Sequence, residues 1–276
     1  MIKIYPEKDR INLLGLVEEV KQGDKDALDK LLRALKDGVF AIALKMVTCP
    51  HDAEDITQEV LIKVITKLST FRGDASPRTW VYRLTVNHIL DRRKSRVEAL
   101  DLSFDSFGKD LMDGLSEPSE SDFLLADEVK YGCTLAMLTC LDREHRIAYV
   151  LGEIFDLPGR LAAEIAGAKH DLFRQRLSRA RIEIESFTEA YCGVVNPQNV
   201  CRCEKKVQKA IRVGRVNPQQ LVFSDPKNLK KYVEEVDLLN NTASVMRNHP
   251  EYAAPERLIE GIRSLLENNT VKILNS

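Results

Sequence analysis

The chain has 276 residues, 44% hydrophobic and 30% charged, enough to bury a sizeable core and wet its surface, and its length suggests about two domains. With 41 Lys and Arg against 42 Asp and Glu the net charge is −1, which excludes a generally basic DNA-coating protein but leaves room for local basic patches. No apolar run nears the roughly 18 residues that would cross a bilayer, Met1–Arg10 has no apolar stretch of the secretory-signal kind, and six cysteines are too few for a disulfide scaffold. A cytoplasmic, reduced protein without membrane insertion is expected.

Most of the chain reads as helix. Ile11, Leu14, Val17 and Val20 recur at helical spacing, as do Leu28, Leu31, Leu32 and Leu35 beyond the Gly23-Asp24 break. Val39–Val47 is apolar and stops at Cys49-Pro50, where proline disfavours helix in the residue before it. Ile56, Val60, Leu61, Val64, Ile65 and Leu68 mark an amphipathic helix; Arg72–Pro77 is a loop; Thr79–Arg93 resumes helix. Ser103–Ser121, rich in Ser, Asp and Gly, reads as a flexible acidic linker. Helix returns from Phe123 to Ala190, and Asp225–Ser276 offers two amphipathic helices around a break at Asn248–Pro255. No strand alternation and no internal repeat is visible, so the fold expected is all-α.

Charge is segregated. Asp52, Glu54, Asp55 and Glu59 stand together without a Lys or Arg. Arg78–Arg96 holds six basic residues against one acid, Glu98–Glu128 ten acids against one lysine, and Arg202–Arg215 six basic residues against one acid. Such blocks suit distinct partner surfaces as well as solvated helix faces. Arg174–Arg181 carries four arginines within a helix-turn-helix candidate: Leu161–Ala166 as first helix, Gly167 as turn, Asp171–Ile184 as second helix. There Phe173, Leu177, Ala180 and Ile184 can pack inward, while Arg174, Gln175, Ser178 and Arg181, with His170 at the helix start, can reach phosphates or base edges.

These residues also carry a resemblance. Asp52-Ala-Glu-Asp-Ile-Thr-Gln-Glu59, Phe71-Arg-Gly73, Trp80-Val-Tyr82-Arg83-Leu84, Asn87 and Asp91-Arg92-Arg93 look, in order and spacing, like region 2 of the extracytoplasmic-function sigma factors of bacterial RNA polymerase. Leu177-Ser-Arg179-Ala-Arg181 resembles the end of region 4 of that family, with Ala163-Glu164-Ile165 in its first helix-turn-helix segment. The resemblance spans about residues 10–190. It implies region 2 at 1–100, an acidic linker at 101–122, region 4 at 123–190 and a C-terminal extension with a regulatory role at 191–276. It further implies core-polymerase binding by Asp52, Glu54, Asp55, Gln58 and Glu59. Promoter melting and downstream-box contact fall to Arg78, Arg83, Asn87, Arg92 and Arg93, and the upstream box to His170, Arg174, Gln175, Ser178 and Arg181. Phe71 is expected to anchor its loop and Trp80 to pack in the core; Tyr82 is left between core packing and base stacking.

The partners implied are core RNA polymerase, promoter DNA and an anti-sigma protein. The alternative is a stand-alone helix-turn-helix regulator with a metal- or redox-sensing tail. An enzyme is not expected: there is no phosphate-binding Gly-rich Lys loop, no His-Glu-x-x-His and no dinucleotide fingerprint, and the five histidines are scattered. No cofactor is required. Cys192, Cys201 and Cys203 place three thiols in twelve residues, one short of a zinc set, which His170, Cys133 or Cys140 could complete only through folding. Zinc, packed thiols and a redox switch all remain open at this point.

Overall fold

The computed structural model describes residues 11–95, 97–223, 242–247, 249 and 253–267. The described residues are helical with no strand, their only extended pairing being an isolated bridge between Cys192 and Cys201. They form two compact units that do not follow chain order. One holds the residues up to Ser95, Leu157–Phe173 and 253–267; the other holds 97–156, 174–223, 242–247 and 249. The division passes inside the segment expected as region 4. Expectations for Met1–Arg10 and for residues 225–241 lie outside the described residues.

In the first unit α1 (Leu13–Lys21) begins where the Asn12 side chain accepts the Gly15 N–H at 3.0 Å, and Gly23, at φ +95°, turns the chain. The Asp24 carboxylate then caps α2 (Lys25–Val47), which unites the two apolar stretches of the sequence in one 23-residue helix. Thr48, at φ 60°, ends it, and Pro50 opens α3 (Pro50–Lys67) at a position where a missing N–H costs nothing. Helix α4 (Pro77–Asp91) starts in the same way, with Pro77 behind a Ser76 cap. Helices α1, α3 and α4 pack around α2. Tyr82 is fully buried there, against Gly38: a Cβ on Gly38 would overlap the Tyr82 hydroxyl and lie 2.6 Å from Cζ. Later in the chain, the helix over Gly159–Ile165 packs on α4.

The second unit corrects one expectation. Residues 101–122 are not a flexible spacer throughout: Ser103 caps a helix, α5 (Phe104–Met112), with Phe107 and Leu111 buried. Phe104 and Phe107 lie 5.2 and 5.6 Å from the Phe187 ring. In the sequence the apolar repeat is masked by interleaved acids, and those acids are neutralised from further along the chain. Lys209 Nζ sits 2.9 Å from Asp110 and 2.6 Å from Asp113; Arg215 lies 2.5 Å from Asp110, and Lys206 donates to the carbonyls of Asp110 and Asp113.

Helix α6 (Glu120–Leu138) follows, and α7 (Arg143–Tyr149) is tied to the segment before α5 by Glu98, which is buried and paired with Arg143 and Arg146 at 2.8 Å each. Helix α7 runs into a wide turn, Val150–Ile154, that precedes α8 (Gly159–Ile165) of the first unit. From Arg174 onward α9 (His170–Tyr191) belongs to the second unit. Helix α10 (Cys203–Arg212), which carries Lys206 and Lys209, packs on α6. Helix α11 (Thr242–Arg247) packs on α6 and on the wide turn. Two residues beyond it His249 is buried, its Nε2 2.7 Å from Thr134 Oγ1.

Two outcomes follow from this packing. Gly38→Ala should destabilise the first unit by about 1–3 kcal/mol through overpacking against Tyr82, read as a lowered urea midpoint. In the second unit, hydrogen bonds from Arg215 and then Lys209 hold the Asp110 carboxyl at about 2, below its ordinary 3.8. That stabilisation is present above the ordinary carboxylate range and fades as pH falls from 3.8 towards 2. Asp110→Asn should therefore cost about 1 kcal/mol at neutral pH after solvent screening, with the gap to the parent chain closing in acid; a gap independent of pH would contradict this.

Candidate functional site

Helix α3 buries Ala53, Ile56, Thr57, Val60, Leu61, Val64 and Ile65, the side that faces α2 and α4. Its polar residues are thereby confined to the remaining face. Asp52, Glu54, Asp55 and Gln58 are half-buried on that rim, and Glu59 is exposed. Asp55 lies 3.6 Å from His51. Glu59 turns towards α4, 2.7 Å from His88 Nε2 and 3.3 Å from Arg92. Burial and the charge of Lys63 push the His88 pKa down. The neutral ring can then accept from Lys63 Nζ at Nδ1, 2.6 Å away, and keep its proton on Nε2 beside the Glu59 carboxylate. Glu59 and Arg92 thus brace α3 against α4. Glu54 pairs with Arg257, a partner with no local signal in the sequence.

The loop between these helices is anchored as expected by Phe71, which is buried 5.4 Å from the Trp80 ring while Lys21 donates to its carbonyl at 3.3 Å. Trp80 is half-buried. Arg72, Gly73, Asp74 and Ser76 are exposed, and Gly73, at φ +82°, supplies the turn. On α4, Arg83 and Asn87 are exposed, as is Arg93 just beyond it. Arg78 is a correction: it is 7% exposed, and its guanidinium donates to the Ala34 carbonyl at 3.2 Å and to the Tyr82 hydroxyl at 3.4 Å, so it serves the bundle. Burial of Tyr82 settles that residue as core.

The elements expected for a helix-turn-helix follow in order: α8, Gly167 at φ +64°, then α9, which runs seven residues past the expected end at Ile184. His170, Arg174, Gln175 and Ser178 are exposed, and so is Arg179. Arg181 is exposed and paired with Glu153, which Arg247 also approaches at 3.4 Å.

Of the candidates for a fourth donor, Cys133 of α6 lies near the three tail thiols. Burial, then the neighbouring Cys203, Cys192 and Cys201, raise its pKa well above the ordinary value. Burial also pushes Cys201 up to about 11 and Cys203 higher still. Cys140 stands apart: burial pushes it up to about 11, and its charged neighbour is Arg146. His170 is exposed beside Asp171. The quartet is not drawn tightly together: among the described residues, the group whose metal-binding atoms all lie within 4.8 Å is His51, Asp52 and Asp55.

The sigma-70 region 2 family model matches residues 31–98, from α2 through α4. The RNA polymerase sigma-H factor of Pseudomonas aeruginosa is 29% identical over 178 residues, covering 62% of this chain and 90% of that protein. The ECF RNA polymerase sigma-E factor of Escherichia coli K12 is 30% identical over 180 residues, covering 62% of this chain and 91% of that protein. The ECF RNA polymerase sigma factor SigW of Bacillus subtilis is 31% identical over 80 residues, 29% of this chain and 43% of that protein. No helix among the described residues is long and apolar enough to cross a membrane. The chain belongs to the extracytoplasmic-function sigma factors of the sigma-70 family, which direct RNA polymerase to promoters and initiate transcription.

Proposed function

We propose that three surfaces of this chain divide the family's work, in the cytoplasm and without covalent chemistry. The rim of α3 with Asp52, Glu54, Asp55 and Gln58 contacts core RNA polymerase; Glu59 orients it by bracing α4. The observation that carries this reading is the confinement of the α3 acids to one face by the burial of its other side. Acidic residues facing a basic partner speed encounter and fix register. The exposed 72–76 loop with Arg83, Asn87 and Arg93 holds the opened strand, where cations and a pocket for an unstacked base are needed. The exposed side of α9, with His170, Arg174, Gln175 and Ser178, reads the upstream box.

Run-off transcription and binding with core polymerase test the division. Asp55→Arg with Gln58→Ala should weaken polymerase binding without unfolding the chain. Arg174→Ala with Gln175→Ala should reduce duplex recognition and flatten its salt dependence by about one charge. Arg83→Ala with Asn87→Ala should chiefly impair opening. Equal losses of duplex binding and opening from both DNA pairs would overturn it.

Zinc is a separate part of the proposal. Four thiolates are the donor set of closed structural zinc sites, and Cys133, Cys192, Cys201 and Cys203 supply four thiols from α6 and the tail. Zinc would have to displace the thiol protons and draw the quartet inward. Chelator-free preparation should yield one zinc per chain, lost in Cys133→Ser; a metal-free chain would leave packed thiols.

A further inference from the structure

Helix α12 (Arg257–Glu267) lies in the same compact unit as α2 and α3 and packs on both. Leu258, Ile259 and Ile262 are buried. The approach to the helix is fixed by polar contacts: the Ala254 N–H donates to Asp37 at 2.9 Å, and Lys36 Nζ donates to the Ala254 carbonyl at 2.8 Å. Glu256 lies 3.0 Å from Lys36 and also pairs with Arg33, while Arg263 lies 2.6 Å from Asp29. Arg257 pairs with Glu54 of α3. One turn later, a Cβ on Gly261 would stand 3.5 Å from Gln58 Nε2. The step from Arg257 to Gly261 thus follows the step from Glu54 to Gln58, so the helices run in the same direction here, and the residue without a side chain sits where Gln58 approaches.

We propose that α12 is an internal cap on the polymerase-contact face of α3, so that α12 and core polymerase compete for Glu54 and Gln58. This rests on the reading of α3 as that contact. The outer ion pairs are weak singly because Arg257 and Arg263 remain 68% and 55% exposed.

The test uses the full chain with Arg257→Glu and Arg263→Glu, both exposed positions. Amide exchange around residues 54–58 should quicken, and the Kd for core polymerase should fall about tenfold if the cap leaves one molecule in ten competent. Faster exchange with unchanged affinity overturns the cap, as does a parent chain that exchanges as fast as the variant. Asp55→Arg, at the residue beside His51, separates the two ideas. If it weakens polymerase binding while uncapping brings no gain, the cap alone fails; if it has no effect, the α3 reading fails and the competition with it.

Discussion

Helix α2 cannot face water on any side from Gly38 to Val47, where every residue is buried, Lys45 included. Burial alone pushes the Lys45 amine down to about 7. Such a helix has to be surrounded, and α1, α3 and α4 pack against it. Once α3 has turned its apolar stripe towards α2 and α4, its acids have one face left. Tyr82 and Arg78 follow from the same demand: α4 must give the bundle a large ring and a guanidinium that satisfies the Ala34 carbonyl.

The second unit is organised by charge neutralisation over an apolar base. Phe104, Phe107 and Leu111 give α5 a stripe that aromatic packing on Phe187 can bury. The acids of this segment would repel one another if left alone; Lys206, Lys209 and Arg215 cover Asp110 and Asp113 instead. The tail is therefore part of the fold: α10 packs on α6, and His249, just beyond α11, sits against Tyr131 and Thr134. A chain cut at Tyr191 would expose the surfaces that these elements cover.

Local patterns made much of this protein legible. Helical periodicity, the Gly167 turn and the grouped acids of α3 are set by neighbours within a few residues, so the all-α fold could be read directly, although Pro77, read as a loop residue, opens α4 instead. The acidic and basic blocks that meet around α5 and α10 were visible in the same way. Commitment across long separations was not. Arg78 looks like a cation for nucleic acid until the Ala34 carbonyl and the Tyr82 hydroxyl claim it; Arg181 meets Glu153 twenty-eight residues before it; Cys133 stands nearly sixty residues from Cys192 in the chain; and Glu54 meets Arg257 only because α12 returns to α3. The order of residues determines each side chain's chemistry, but which partner neutralises or buries it depends on packing that only the tertiary structure brings about.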